Sequence, residues 1–575
     1  MKTTYPASLL CDFYKVSHKD QYPQGTEVVY STFTPRSNKY FPQADGAVVF
    51  GIQSFVKKYL IDYFNTHFFS RPKEDVVAEY VRYVKFTLGV DNPDASHIAE
   101  LHDLGYMPVR LYALKEGTIA PIKVPVLTIE NTDPRFFWIT NYLETLMSAE
   151  IWYPIVSSTI AYEYRKLLDE YALKTVGNTE AVGFQGHDFS LRGLEGIEAG
   201  ATSGAGHLLS FTGTDTIPAI AFHEAYYNAD IEKELVGASI PATEHSVMSA
   251  GTDADSRDEF DMFKRLVTEV YPNGLVSIVS DTYDFWKVVG EILPRLKDDI
   301  MNRDGKVVVR PDSGDPVEIL VGRRTIEEFA DHDEAEDMLK DEISEIAEEA
   351  CGENMMGDDV YTRIYKVGDE YFKFSVEPFY NRYDKRFYYV DGMENARYEE
   401  YEVKLEDIGL IEALWNIFGG TVSEQGYKVL DTHIGAIYGD SITLERAEAI
   451  VKGLKAKGFA STNVVLGIGS YTYQMNTRDT LGMAMKATYA VVDGEERLLF
   501  KDPKTDDGTK RSQRGRVIVF ENEDGSISYQ DGLNLDSEFE VSSAVGNMLE
   551  PVFVDGKLLR DQSLADIRDI LRKQS

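Results

Sequence analysis

Residues 275–284 read LVSIVSDTYD, a short apolar run that stops abruptly in polar residues, and the same form returns in KVVVRPDSGDP (306–316), GAIYGDS (435–441) and NVVLGIGS (463–470). Each reads as a short buried strand. Helical stretches lie between such runs. SSTIAYEYRKLLDEYALKTVG (157–177) is one of them, with Ser157 or Ser158 placed to cap it and Gly177 to end it. Strands alternating with helices imply a parallel sheet or barrel. In a (β/α) barrel the chemistry sits at the carboxyl ends of the strands, so the tips at Asp281, Arg310–Asp312, Asp440 and Gly467–Ser470 are expected to face one mouth.

Outside this α/β core the texture changes. Residues 1–150 mix strand-like runs (EVVYSTF, VRLYALKEG) with helical ones (FVKKYLIDYF), the pattern of a peripheral α+β domain. The barrel is expected over 151–324 and 421–490, and 491–575 is expected to return to the peripheral domain. Residues 325–420 read as an inserted subdomain, with an acidic helix followed by a Tyr-rich stretch (YFKFSVEPFYNRYDKRFYYVDG). In that helix Leu339, Ile343, Ile346 and Ala350 form one apolar stripe. Its acidity is read as a solvated face.

With 575 residues and 43% hydrophobic composition, the chain exceeds what one core organises. Its formal charge of −37, from 96 acids against 59 bases, argues against nucleic acid or an anionic membrane as partner, so an anionic substrate needs a local basic cluster. The two cysteines, Cys11 and Cys351, offer neither a disulfide framework nor metal spacing. No residue is assigned as a metal ligand. No apolar run has the length of a signal or a membrane span, and a cytoplasmic protein is expected.

Several residues carry chemistry of their own. RPDSG supplies a guanidinium, a carboxylate and a hydroxyl after a strand, suited to ribose and phosphate oxygens or to an ordinary turn. GIGS (467–470) offers backbone N–H groups to a phosphate, or is a plain loop. Bases follow it at Arg478, Lys486, Lys501 and Lys510–Arg516, which is where pyrophosphate and phosphate contacts are expected. His245, beside Glu244, is a phosphoryl acceptor, a donor to pyrophosphate, or a core histidine. Phe189, three residues before Arg192 in HDFSLRG, is a stacking ring or a core residue. Asp215, in FTGTDT, can accept from an amide N–H₂ and would repel a carboxylate; a solvated loop aspartate is the other reading.

Taken in order, DFYKVSHKDQYP, ENTDP, WYP, HDF..RG, GTDT, EHS, SDTYD, RPDSG, GD and TRD resemble the nicotinamide phosphoribosyltransferase family, from Asp12 to about Arg516 and sparing 325–420. The resemblance implies a type II phosphoribosyltransferase: an irregular α/β barrel with a mainly β peripheral domain, active as a homodimer with shared sites. It would convert nicotinamide and phosphoribosyl pyrophosphate to nicotinamide mononucleotide and pyrophosphate in NAD salvage. Mg²⁺ would serve as cofactor and ATP as coupled co-substrate. By the same resemblance Phe189 and Tyr14 sandwich the pyridine ring, with Tyr14 and Asp12 coming from the neighbouring subunit, and Asp215 holds the carboxamide. Arg192 and Arg310 contact base or pyrophosphate, Arg36 the pyrophosphate, Asp312, Gly439 and Asp440 the ribose, and Ser470, Arg478 and Lys486 the 5′-phosphate. Asp281 organises ribose and magnesium, and His245 matches the histidine that ATP phosphorylates. The chain departs from the family's HDFGYRG at Ser190 and Leu191, and has Ser470 where the family has glycine. Two rival readings are a nicotinate phosphoribosyltransferase, which prefers a neutral or basic group at Asp215, and a silent ligand-binding relative.

Overall fold

The computed structural model describes residues 5–323, 326–339, 342, 361–368, 370–376, 379–383, 386–388, 396–439, 441–501 and 512–574. Asp440, Ile343, Ile346, Ala350, Cys351 and Lys510 lie outside the described residues. The chain divides into two compact units, one formed by 1–169, 180–239 and 467–575, the other by 170–179 and 240–466.

The first unit is built on a seven-stranded sheet. Its strands, in spatial order, are Glu495–Leu498, Ala484–Val492, Thr26–Thr34, Leu127–Asn131, Val109–Ala113, Glu550–Val554 and Lys557–Leu558. Every pairing is antiparallel, which places Thr34 opposite Ala484 and Thr32 opposite Lys486. Val29, Phe33, Leu111, Ile129 and Phe553 bury the sheet's apolar positions. Beside the sheet lies Arg516, whose guanidinium pairs with the buried Glu130 at 2.8 Å, is also bonded by Glu538, and sits 4.3 Å from the Tyr30 ring centroid. An arginine buried with two carboxylates and an aromatic face keeps its charge, because its donors are matched where water is absent. This unit also holds the parallel pair Gly186–Asp188 and Gly213–Thr214.

In the second unit Val276–Val279, Val307–Arg310, Ile434–Tyr438 and residues 464–466 lie side by side in parallel. Val276, Ile278, Val307, Val309, Ile434, Ala436 and Leu466 are all buried, as expected of parallel strands covered on both faces. Each strand leads into a helix. After Val307–Arg310, Asp315 caps Pro316–Val321 by accepting from the N–H of Val317 and Glu318 at 2.9 and 3.0 Å, with Pro316 where no donor is needed. Within the 325–420 stretch, Glu327–Phe329, Tyr361–Val367, Glu370–Val376 and Ala396–Glu400 form a four-stranded sheet around Ala335, Leu339, Tyr365 and Phe374.

The expectations of an α/β fold with parallel strands and of antiparallel β structure apart from them hold. One local expectation does not. Ser157 and Ser158 cap nothing: they lie inside a 33-residue helix, Glu144–Val176, that runs through Pro154. Their hydroxyls donate back to the carbonyls of Tyr153 and Pro154 at 2.9 and 2.7 Å, and Thr159 does the same to Ile155 at 2.6 Å. Serine and threonine mimic a cap locally while bonding the preceding turn of a continuous helix. Gly177 does end the helix, at φ 75°.

Candidate active site

In the second unit three of the four strand tips meet. Asp281 follows Val276–Val279, and its Oδ2 accepts from the N–H of Asp312 at 3.0 Å and from the N–H and hydroxyl of Ser313 at 2.8 and 2.5 Å. Those donors belong to the tip after Val307–Arg310. Gly439, after Ile434–Tyr438, donates its N–H to the Pro311 carbonyl at 3.0 Å. A Cβ there would come within 3.1 Å of the Asp312 Cβ, so glycine is what lets the strand ends close up. Arg310 is half-buried and donates from Nη2 to the Thr243 carbonyl.

His245 opens the helix His245–Ala250 beside these tips. Its Nε2 lies 3.3 Å from Asp312 Oδ1 and its Nδ1 3.2 Å from the Thr282 hydroxyl. Ligand atoms of His245, Asp281 and Asp312 all fall within 4.8 Å of one another, and Asp281 Oδ1 is buried without a hydrogen-bond partner. Such a donor set suits a hard divalent cation shared with substrate oxygens. Sequence reasoning missed one member, Glu259. It is only 2% exposed, and burial together with the neighbouring Asp281 pushes its carboxyl up to about 7. No motif marks it; it stands in an ordinary acidic turn, SRDEF.

The first unit carries the other candidates. Asp215 follows Gly213–Thr214, and its Oδ1 is engaged by His187 Nε2 at 2.9 Å and by the Ser239 hydroxyl. The His187 ring packs against Phe189 at 4.5 Å between centroids, so His187 joins the ring and the carboxylate in one arrangement. His187 stands two residues before Phe189, an i, i+2 spacing that puts both on one face of a strand, and that signal was readable. Asp188, pointing the other way, is wholly buried and fixes the turn by accepting from the N–H and hydroxyl of Ser190 at 2.9 and 2.6 Å. Ser190 therefore serves the turn that carries Arg192, whose side chain is exposed. Gly193 of this turn packs directly on Ser470, at the start of Ser470–Gln474.

A basic cluster forms on the antiparallel sheet. Lys486 is held below the usual ammonium range by burial and by the nearby Arg36, Lys15 and Lys501, against the pull of Glu144. Glu144 bonds Lys15 and lies 3.7 Å from Lys486. Arg36 Nε donates to the Gly482 carbonyl at 3.0 Å, and Arg478, near that loop, is half exposed beside Asp479. Cations crowded around a single carboxylate make an anion site. Lys15 and Glu144 are additions that the sequence did not single out. Asp12 exchanges hydrogen bonds with Thr145, its N–H donating at 3.1 Å and its Oδ2 accepting at 2.8 Å. Tyr14 is 58% exposed, with its ring 5.1 Å from that of His18.

Known proteins resemble this chain along nearly its whole length. The model of the nicotinamide phosphoribosyltransferase N-terminal domain matches residues 7–83, and that of the nicotinate phosphoribosyltransferase family matches 184–542. Nicotinamide phosphoribosyltransferase of Acinetobacter baylyi is 43% identical over 573 residues, covering 98% of this chain and 96% of its own. That of Mycoplasma pneumoniae is 31% identical over 528 residues, covering 88% and 94%. Among solved structures, human nicotinic acid phosphoribosyltransferase superposes with a TM-score of 0.47 at 14% identity, over 98% of this chain and 93% of its own. No helix among the described residues is long and apolar enough to cross a membrane. A family match over more than half of the sequence, with similarity along nearly its whole length, shows that the chain belongs to the nicotinamide phosphoribosyltransferases of the nicotinate phosphoribosyltransferase family.

Proposed function

We propose that the chain joins nicotinamide to the ribose carbon of phosphoribosyl pyrophosphate, releasing pyrophosphate, and that ATP drives the reaction through phosphorylation of His245. The 43% identity to a nicotinamide phosphoribosyltransferase carries the first part. Asp215 supports the choice of base. A carboxylate held by Ser239 and by His187, whose ring packs on that of Phe189, accepts from an amide N–H₂ and repels the carboxylate of nicotinate.

Departure of pyrophosphate leaves an oxocarbenium-like ribosyl centre, which calls for positioning and charge rather than a covalent nucleophile to carbon. Phe189 presents its ring to the pyridine, with Tyr14 of a second copy on the other face of the ring. The exposure of Tyr14 is compatible with that role. Arg310 and Arg192 meet the base or the pyrophosphate, Arg36 the pyrophosphate, Asp312, Gly439 and Asp440 the ribose hydroxyls, and Ser470, Arg478 and Lys486 the 5′-phosphate. Mg²⁺, when bound, offsets the charge of the leaving pyrophosphate. Asp281 and Asp312 are the carboxylates that would hold it. In the ATP step a ring nitrogen of His245 takes the γ-phosphoryl group, the bond to ADP breaks, and the ring proton passes to solvent.

The test offers nicotinamide or nicotinate separately with phosphoribosyl pyrophosphate and Mg²⁺, each with and without ATP. Nicotinamide mononucleotide formed only from nicotinamide, and faster with ATP, is the expected result. Turnover of nicotinate would assign the chain to the neighbouring activity, and no turnover would make it a silent binder.

A further inference from the structure

The helix Ser470–Gln474 hangs on one side chain. Of its five residues only Tyr473 is buried, at 0% exposure, while Tyr471 and Gln474 face outward. The Tyr473 hydroxyl lies 2.8 Å from Nδ1 of His207, which is equally buried and ends the helix Ile197–His207. At the opposite edge of the same ring, Nε2 lies 3.1 Å from the Gly213 carbonyl. That carbonyl can only accept, so Nε2 carries the proton, Nδ1 accepts, and Tyr473 donates. Burial holds the imidazole below its usual range and keeps it neutral. Phe211 stacks on the ring at 5.0 Å between centroids and 24° between planes, which leaves it one orientation.

Stability alone does not call for this arrangement. Apolar side chains of the same shape would fill the space between the two helices at little loss, since a buried hydrogen bond adds little over packing. What it adds is direction. Apolar surfaces slide past one another, whereas two hydrogen bonds at opposite edges of a rigid ring fix a distance. The two ends are not arbitrary: Ser470 opens the helix that Tyr473 anchors, and the strand Gly213–Thr214 leads straight to Asp215. A second tie runs alongside, from the Phe189 N–H to the Ile468 carbonyl at 3.0 Å. We propose that Tyr473 and His207 are positioning residues, which hold the Ser470 loop at a set distance from Asp215 and so match the site to a ligand carrying both a 5′-phosphate and a pyridine carboxamide. The ligand part rests on the roles of Ser470 and Asp215 given above.

The test uses the full chain and the variants Tyr473→Phe, His207→Leu and the Tyr473→Phe/His207→Leu pair, each checked for folding by its circular dichroism. Calorimetry gives the affinity for three probes: nicotinamide, ribose 5-phosphate, and nicotinamide mononucleotide, which spans both positions. In Tyr473→Phe, which loses a single oxygen, the nucleotide is expected to bind about ten-fold more weakly while each fragment stays within about two-fold of wild type. A purely structural role would weaken nicotinamide and the nucleotide alike. That result, or an unchanged affinity for the nucleotide, would overturn the proposal. His207→Leu strands the Tyr473 hydroxyl as well, so the pair should bind the nucleotide no worse than His207→Leu does and should melt higher. A further loss of affinity in the pair would also overturn it. A wild type that binds none of the three probes would instead refute the proposed function, and amide exchange then decides the tie itself. The N–H groups of Thr214 and Asp215, bonded to the carbonyls of Ala238 and Asp188 at 2.9 and 3.0 Å, should exchange faster in Tyr473→Phe, and equal rates would overturn the tie.

Discussion

Substituting Gly193 by alanine tests how tightly the turn carrying Arg192 is packed on the Ser470 loop. A Cβ at Gly193 would stand 2.2 Å from Ser470 Oγ and 2.5 Å from Ser470 Cβ. Carbon atoms in contact prefer about 3.5–4 Å, and the serine Cβ cannot rotate away, so the two backbones must part by about 1 Å. Overpacking of this kind costs about 1–3 kcal/mol. A displacement of about 1 Å in a positioning element can lower a rate as much as 100-fold. Gly193→Ala is therefore expected to melt a few degrees lower and to lose about ten-fold to 100-fold in kcat/KM for phosphoribosyl pyrophosphate. Ser470→Gly deletes both offending atoms, so the double variant should regain most of what Gly193→Ala loses. That makes a double-mutant coupling of about 1–3 kcal/mol in the restoring direction. Initial rates and melting curves for the four proteins measure it. The reasoning fails if Gly193→Ala is neutral, or if Ser470→Gly relieves neither its stability nor its rate.

Asp215→Ser removes the carboxylate acceptor and should cut the preference for nicotinamide over nicotinate by about ten-fold or more, read as the ratio of the two kcat/KM values; an unchanged ratio would disprove the role. His245→Ala should abolish incorporation of label from γ-labelled ATP and the rate increase by ATP, and label retained would locate the acceptor elsewhere. Burial lowers His97 to about 4 and His223 to about 3, from 6.5. The unfolded chain thus binds protons that the folded one refuses, so stability falls as pH drops below about 6.5, continuing to about 4 and 3 respectively. At pH 5 each histidine should cost about 2 kcal/mol, visible in urea titrations at pH 7 and 5 and reduced in His223→Gln. Arg516→Ala strands Glu130 and Glu538 without their cation and should destabilise the first unit by about 3–5 kcal/mol in the same assay.

What the sequence revealed was local. The runs ending in Asp281, Asp312 and Gly439 carry their own strand signal and tip chemistry, so parallel strands with functional ends were readable from them. HDF likewise places Asp188 on one face of a strand and His187 with Phe189 on the other. Partnerships across long separations were not readable, because nothing near Glu130 points to Arg516, 386 residues away. Glu259 was hidden for a different reason: its significance lies in its burial beside Asp281, and the burial of a lone acid has no signature in one dimension. The helix through Pro154 misled because three hydroxyl residues in a row imitate a start while bonding backwards.

The antiparallel sheet of the first unit also bears on how the chain is made. Thr26–Thr34 lies between Leu127–Asn131, which follows it soon, and Ala484–Val492, which follows very late. The Thr32 hydroxyl finds its acceptor on Gln513, 481 residues on. At roughly 5–20 residues per second, synthesis leaves one side of that strand without its neighbour for on the order of half a minute or more. The second unit, nearly continuous from 240 to 466, can close during that wait. The nascent chain therefore carries an open, apolar edge through most of its own translation, and any premature stop before residue 484 makes that exposure permanent.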